Sequence, residues 1–199
     1  MRLLSTVVVV ILSHIAAAYG QTNQELRAEL LAMRALDQKA RDECSGNADE
    51  QLKCYMKMSE DVDKPNTKRI NEIYNAGGFP TVKLVGRDGV DAFFLLLQHS
   101  NDTALKQKCL PSIERAFREK VMSANNYSNF TDRLLVALGK PQIYGANFEM
   151  KDGKMVMSPT IDLKNLDKRR KSIGLPPIAE YMKMLKEAYK LEVVISLKN

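Results

Sequence analysis

The stretch Val90-Asp91-Ala92-Phe93-Phe94-Leu95-Leu96-Leu97-Gln98 decides the fold, because residues 92–97 are apolar without interruption. A helix that is hydrophobic on every side is buried, since none of its faces can be left in water. An apolar run of this length also fits a buried strand. The helical patterns on both sides favour a helix, which we predict to lie at the centre of the core.

Apolar residues recur at helical spacing along most of the remaining chain. Leu26, Leu30 and Met33 place one helix from Gln24 to about Asp42. Further helices are predicted to follow Asp49 and to cover about 64–76, 102–120, 126–138, 163–173 and 177–191.

Three local signals interrupt this helical pattern. Arg87-Asp88-Gly89 is predicted to be a turn, and Pro111 is predicted to kink or break its helix. Residues 148–157 alternate around Asp152-Gly153, which is typical of a two-residue hairpin turn. We therefore predict a mainly α protein: a single helical domain over 21–199 with about six to eight helices and one small β-hairpin at about 147–158.

The positive charge of the chain is confined to its C-terminal region. The formal net charge is +6, yet residues 21–150 contain 18 basic and 18 acidic side chains, and residues 151–199 contain 11 and 6. The densest run, Asp167-Lys168-Arg169-Arg170-Lys171, lacks the neighbouring aromatic residues that nucleic-acid sites combine with cations. We predict a solvated helix face and no nucleic-acid partner. An acidic partner or a membrane surface is the alternative.

The first twenty residues have the pattern of a secretory signal peptide. Met1-Arg2 is a short positive segment, residues 3–18 are mostly apolar, and Ala18-Tyr19-Gly20 matches a small-x-small cleavage site. Polar residues within the apolar segment make a permanent anchor the weaker alternative. We predict cleavage after residue 20, a periplasmic or extracellular location, and no membrane span in the mature chain. His99 is then the only histidine of the mature chain.

Export changes the interpretation of the three cysteines. In an oxidising compartment Cys44 and Cys54, which flank a short polar loop, are predicted to form a disulfide, with two unrelated thiols as the alternative. Cys109 lies in an apolar helical context and is predicted to be a free, buried and inert thiol. A nucleophilic role for Cys109 is the alternative reading.

Several polar residues stand where their neighbours predict burial. Gln98 and His99 follow the apolar segment directly, and Asp132-Arg133 interrupts an apolar helix. Buried polar groups need partners, so these side chains should meet each other or a ligand. The catalytic candidates are His99, Asp102, Asp132 and Arg133, and the ligand-binding candidates are Gln98, Gln107, Gln142 and Tyr144. Asp102 is alternatively a helix N-cap.

Short motifs in a fixed order give the chain a resemblance to a known family. They are Gly78-Phe79-Pro80-Thr81, Gln98-His99-Ser100-Asn101-Asp102, Gln107-Lys108-Cys109-Leu110-Pro111, Thr131-Asp132-Arg133, Pro141-Gln142-Ile143-Tyr144-Gly145, Asp167-Lys168-Arg169-Arg170 and Gly174-Leu175-Pro176-Pro177. Over roughly residues 25–190 the chain resembles an uncharacterised, largely bacterial family of helical domains of unknown function. That family often has Trp in place of Phe79 and Thr-Gln in place of Ala146-Asn147. The resemblance implies a set of polar positions but no established activity.

The polar residues therefore carry the functional prediction. We predict a secreted protein that binds a small or anionic ligand in a polar cleft around His99, where Asp132, Arg133 and Tyr144 should converge. One alternative is a hydrolase-type enzyme with His99 as general acid/base, oriented by Asp102 or Asp132, and with Arg133 binding an anionic group. The other is a structural or interaction protein in which these residues form a buried network.

Two further expectations concern groups added to the chain. A single mature histidine argues against a zinc site, and no phosphate loop or dinucleotide fingerprint is present in the sequence, so no metal or cofactor is predicted. In a eukaryotic cell the sequons at Asn101, Asn126 and Asn129 would be glycosylation acceptors.

Overall fold

The computed structural model describes residues 23–195 of the chain. The predicted signal peptide, residues 1–20, lies outside the described residues. Contacts divide the chain into two compact units, with the boundary between Asn101 and Asp102. The division into a signal peptide and one domain over 21–199 stays a prediction.

The first unit is helical. Its segments are α1 (Gln24–Asp42), α2 (Ala48–Met58), a π-helical turn (Ser59–Asp63), α3 (Lys64–Gly77) and α4 (Val82–His99). The side chain of Asn23 caps α1, and Asn47 caps α2 with a reciprocal contact from Glu50. The π-helical turn joins α2 to α3 without a break, because its residues continue the helical backbone.

The apolar segment of α4 forms the core of this unit, as predicted. Phe93 and Leu97 are fully buried, and they pack in a core that also contains Leu30 of α1 and Ile70 of α3. α1 packs along α4. Burial of a side chain of this size contributes about 1.5–3 kcal/mol, so this packing is the main stabilising interaction of the unit.

The predicted turn at Arg87-Asp88-Gly89 is wrong, because these residues are helical. The helix is interrupted at Gly86, whose φ of 72° and ψ of 169° lie outside the helical region. Positive φ is accessible to glycine at little cost because it has no Cβ. Asp88 instead accepts two hydrogen bonds from Arg27 of α1, at 2.9 and 2.6 Å.

The predicted disulfide between Cys44 and Cys54 is present, with a Cα–Cα distance of 5.5 Å. It ties the end of α1 to α2. Cys109 is free and fully buried, also as predicted. The bridge closes a short loop, and a loop of this length corresponds to about 2–3 kcal/mol of stabilisation.

We expect the Cys44→Ser/Cys54→Ser double variant to unfold in urea with a free energy about 2–3 kcal/mol below that of the parent chain. Mass spectrometry of the denatured, exported protein should find one alkylated cysteine before reduction, and all three of the chain's cysteines after it. Three alkylated cysteines before reduction would show that the bridge does not form.

The second unit combines helices with a small sheet. Its segments are α5 (Thr103–Arg118), α6 (Ala124–Ala137), β1 (Phe148–Lys151), β2 (Lys154–Met157), a 3-10 turn (Leu163–Asn165), α7 (Leu166–Ser172), α8 (Ile178–Tyr189) and β3 (Val193–Ile195). α5 and α6 pack together, and the rings of Phe117 and Tyr127 stack between them with centroids 4.5 Å apart.

The predicted hairpin is present, but it belongs to a three-stranded sheet. β1 pairs antiparallel with β2 around Asp152-Gly153, and both turn residues have positive φ, as a tight hairpin turn requires. β3 pairs with β2 in parallel. The last predicted helix ends before this strand, at Tyr189 rather than at 191. The mainly α class is confirmed.

α5 is not broken at Pro111, so of the predicted kink or break the break is wrong. The helix continues from Thr103 to Arg118. Proline removes one backbone donor, and the affected carbonyl belongs to Gln107 four residues earlier. Both residues are exposed, so water can satisfy that carbonyl.

Within residues 23–195, no helix combines the length and the apolar character that crossing a bilayer requires.

Candidate functional site

His99, the last residue of α4, is paired with a buried carboxylate of α1. Its Nδ1 lies 3.1 and 2.9 Å from the two carboxylate oxygens of Asp37. The side chain of Asp37 is 1% exposed, whereas that of His99 is 18% exposed. The imidazole is therefore held from its buried side while part of the ring reaches the surface.

Asp37 belongs to a chain of ion pairs within the first unit. Arg41, one turn further along α1, donates to Asp37 at 2.8 Å and to Asp63 of the π-helical turn at 2.8 Å. Gln38 donates to the second oxygen of Asp37 at 2.8 Å. We call Asp37, Arg41, Asp63 and His99 the His99 network. Both terminal nitrogens of Arg41 are used within it.

The pKa of Asp37 is lowered. Burial alone would raise this pKa. The hydrogen bonds from His99 and Gln38 and the charges of His99 and Arg41 lower it, and their combined effect is larger. An ionised Asp37 has no proton to donate, so Nδ1 of His99 must carry the hydrogen of their shared bond. When the ring is neutral, its lone pair is then on Nε2. Within residues 23–195 the structure gives Nε2 no hydrogen-bond partner.

This arrangement supports two kinds of chemistry. An Nε2 with a free lone pair accepts a hydrogen bond from a ligand, or a proton from a reacting group. Asp37 fixes the tautomer and the ring orientation in both cases, as a carboxylate does for the histidine of a catalytic triad.

Of the His99 network, only His99 was predicted from the sequence; its partners Asp37, Arg41 and Asp63 were not. One signal was present. Asp37 lies seven residues after Leu30, at a position where the helical period of α1 places a residue that faces the core. A charged residue at such a position predicts a buried partner, and Arg41 at i+4 is a cation on that helix face.

Asp132 organises a loop in the second unit. Its carboxylate accepts hydrogen bonds from the backbone N–H groups of Ile143 at 2.8 Å, Tyr144 at 3.1 Å and Ala146 at 2.8 Å. Asp132 is fully buried. Burial raises its pKa, although the three N–H groups and the charge of Arg170 act in the opposite direction. Since both oxygens accept N–H donors, the carboxylate fixes the path of the loop.

Gln142 closes the same loop from within. Its Nε2 donates to the carbonyls of Asn147 at 3.0 Å and Ser158 at 2.9 Å, and its Oε1 accepts the N–H of Asn147 at 2.8 Å. The residue is fully buried. This candidate ligand-binding amide is therefore already engaged by the chain's own backbone.

Two arginines of α7 complete the assembly. Arg169 donates to the carbonyl of Ile143 at 2.9 Å, and Arg170 donates to the carbonyls of Tyr144 and Pro176, both at 2.7 Å. Arg170 is 2% exposed and lies 5.0 Å from the ring centre of Tyr181, so a cation–π contact adds to its hydrogen bonds. We call Asp132, Gln142, Arg169 and Arg170 the loop clamp.

Gly145 is required at the centre of the clamped loop. Its φ is +67°, and a Cβ atom built there would lie 3.1–3.3 Å from side-chain atoms of Met157, Ile178 and Leu166. The backbone conformation makes any side chain at this position strained, and the close packing adds to the cost.

The other candidate residues do not belong to either network. Arg133 and Gln107 are exposed. Asp102 is the N-cap of α5 and accepts the N–H of Leu105 at 2.9 Å. Gln98 is partly buried on α4.

Of the four residues expected to converge, the structure brings two together. Asp132 accepts the backbone N–H of Tyr144, and the Tyr144 ring lies 6.0 Å from that of Tyr127. Burial raises the pKa of Tyr144. The common concavity of His99 with Asp132, Arg133 and Tyr144 stays a prediction, because His99 belongs to the first unit and the others to the second.

Three further predictions concern the free thiol, the sequons and metal binding. Burial, and then the charge of Asp102, raise the pKa of the Cys109 thiol to about 12, which favours an inert thiol over a nucleophile. Of the sequon asparagines, Asn101 and Asn126 are exposed and Asn129 is partly buried on α6, and their occupancy stays a prediction. Across residues 23–195, no three His, Cys, Asp or Glu side chains are grouped so that they could hold a metal ion.

Residues 24–194 match the model of a family of unknown function, DUF6624. The chain belongs to this family. Neither the comparison with curated proteins nor the comparison with solved structures found a match.

Positions 146 and 147 contact the loop clamp through their backbone. Ala146 contacts Asp132 through its backbone N–H, and Asn147 contacts Gln142 through backbone N–H and carbonyl, so these contacts do not depend on the side chains at 146 and 147. Phe79 makes an edge-to-face contact with Phe93 at 5.0 Å, which another aromatic residue could also make.

Proposed function

We propose that this protein is exported and binds a small polar ligand at His99, through Nε2. The observation that carries the proposal is the buried Asp37 carboxylate on Nδ1. A buried charge is costly, and Asp37 is held by Gln38 and Arg41 while it orients the partly exposed imidazole of His99. The His99 side chain is 18% exposed, so part of the ring is open to a ligand.

The charges around His99 favour a ligand that donates a hydrogen bond. Arg41, the cation of the His99 network, is already engaged by Asp37 and Asp63. When the ring is neutral, it carries its hydrogen on Nδ1 and offers an acceptor at Nε2. Hydroxyl and amide N–H groups therefore complement the site better than a carboxylate or phosphate does.

The proposal is tested by nitrogen NMR of the histidine ring in the mature chain, whose ring signals disappear in His99→Gln. Acetamide, glycerol, acetate and inorganic phosphate are the probes. We expect the tautomer with hydrogen on Nδ1 and a saturable shift of Nε2 with acetamide or glycerol, because both donate hydrogen bonds. Acetate and phosphate should shift it less.

The control is the backbone spectrum of His99→Gln, which should remain that of a folded chain and should lose the response to the probes. A purely structural role would appear as a lower melting temperature of His99→Gln with no probe response in the parent chain. That result, or a hydrogen found on Nε2 instead of Nδ1, would contradict the proposal.

A second candidate function, hydrolase-type catalysis with His99 as general base, is favoured by the same Asp37–His99 pairing. p-Nitrophenyl acetate is the probe substrate. Hydrolysis above the buffer rate should be lost in His99→Gln and reduced in Asp37→Asn, whereas equal rates in the parent and His99→Gln would exclude this role.

Export is supported by the sequence pattern of residues 1–20 and by a disulfide that suits an oxidising compartment. The intact mass measured for the disulfide also reports whether the chain begins at Gln21. A mass that retains residues 1–20 in exported material would contradict cleavage.

A further inference from the structure

A cavity of about 390 Å³ opens in the first unit where α1 begins, α3 ends and α4 begins. Small-molecule sites typically measure ~300–1,000 Å³, so the volume suits a small organic ligand. No residue of the His99 network lines this cavity.

The floor of the cavity is apolar. Leu26 of α1, Ile73 of α3 and Leu84 of α4 line it together with Pro80. Ile73 is 7% exposed and Pro80 is buried, so these two form a fixed base. A ligand needs a short hydrocarbon body to cover such a surface.

The rim of the cavity carries an excess of negative charge. Three carboxylates line it, those of Glu25, Glu29 and Glu72, together with one cation, Arg69. Arg69 donates to Glu29 at 2.5 and 2.9 Å and to Glu72 at 3.0 Å, so its positive charge is already paired. The hydrogen bond from Arg69 lowers the pKa of Glu29, which keeps that carboxylate ionised at neutral pH. The rim therefore complements a cation.

Helix ends contribute to the same field. α3 ends at the cavity, and the last carbonyls of a helix carry partial negative charge. The positive ends of α1 and α4 also meet there, but Asn23 accepts the N–H of Leu26 at 2.9 Å, and Thr81 accepts the N–H of Leu84 at 3.2 Å. The formal charges of the rim therefore decide the sign of the electrostatic potential in the cavity.

Gly77 belongs to the lining of the cavity and has no side chain of its own. It is the last residue of α3, and a Cβ built there would meet no atom within 4 Å. Its φ is not in the left-handed region, so the backbone does not require glycine. Alanine has the higher helix propensity, so glycine does not serve the stability of the helix at this position.

We propose that this cavity binds a small organic cation, an amine with a short apolar body. The apolar floor takes the hydrocarbon, and the carboxylate rim takes the ammonium group. The cavity is independent of the His99 site, so either site can exist without the other.

Three six-carbon probes that differ only in charge test the proposal: hexylammonium, hexan-1-ol and hexanoate. Binding to the full exported chain is followed by backbone amide shifts. We expect hexylammonium to shift residues of the cavity saturably and to bind at least about tenfold more tightly than hexanoate, since each exposed carboxylate changes affinity by up to about fivefold.

Two variants place the binding in the cavity. Gly77→Leu adds a large side chain to the lining and should weaken hexylammonium by at least about tenfold, because the ligand loses part of its apolar contact. Glu25→Gln should weaken the affinity for hexylammonium by about threefold. Glu180→Gln, at an exposed position of α8, is the matched control and should leave that affinity unchanged. Equal affinity for hexanoate, unchanged affinity in Gly77→Leu, or no saturable shift with hexylammonium would each overturn the proposal.

Discussion

Asp132→Ala should lower the free energy of unfolding by about 4 kcal/mol, because it leaves three backbone N–H groups of the clamped loop without an acceptor, each at a cost of about 1–3 kcal/mol. Ile143, Tyr144 and Ala146 contribute these groups, and Asp132 is fully buried. Urea unfolding followed by circular dichroism measures the loss. Hydrogen exchange at the same three amides should accelerate.

Two further variants separate this explanation from a general sensitivity of α6. Asp132→Asn keeps one acceptor oxygen but turns an N–H₂ group towards a backbone donor, so its loss should be intermediate, at about 2–3 kcal/mol. Arg133→Ala, at the adjacent exposed position, should stay within about 0.5 kcal/mol of the parent. If Asp132→Ala and Arg133→Ala were equally stable, the clamp would not be what orders the loop.

Asp37→Asn should lower the free energy of unfolding by about 3–5 kcal/mol, the cost of breaking a buried ion pair. Asp37 is fully buried, and its oxygens accept from His99, Arg41 and Gln38. An asparagine N–H₂ group would face these donors. Asp42→Asn is the matched control, since Asp42 lies exposed on the same helix, and it should change stability by less than about 0.5 kcal/mol.

The stability that Asp37 contributes should depend on pH in a defined direction. Its folded-state pKa lies below the value of about 3.9 that an aspartate has in an unfolded chain. The contribution is therefore complete above about pH 4 and is lost as the pH falls through the lower, folded-state pKa. The difference between the parent chain and Asp37→Asn should shrink in acid. A difference that grew below pH 4 would contradict the ionised pair.

Local patterns in the sequence were enough to predict much of the fold. The helix over Gln24–Asp42, the hairpin around Asp152-Gly153 and the disulfide between Cys44 and Cys54 each depend on residues close together in the chain. Capping, turn and periodicity rules describe such short-range interactions well. β3 was not predicted, because three apolar residues after a helix become a strand only where β2 offers an edge.

The candidate site could be predicted only in part, because its contacts are long-range. Asp37 and His99 are 62 residues apart, and no local pattern pairs them. Asp132 and Arg133 were expected to act together because they are adjacent, but consecutive residues of a helix do not face each other. One points into the loop clamp and the other lies exposed.

The π-helical turn has a consequence for how this chain could change through insertion and deletion. The N–H of Lys64 bonds to the carbonyl of Ser59, five residues earlier. The turn Ser59–Asp63 therefore has one residue more than a turn of α-helix. Deleting a single residue here would let α2 continue into α3 as a regular helix, rotated by about 100°. Asp63 would then leave Arg41. A family member with a one-residue gap at this segment would therefore lack the contact between Asp63 and Arg41 that supports His99. This would hold even if it retained every residue of the network.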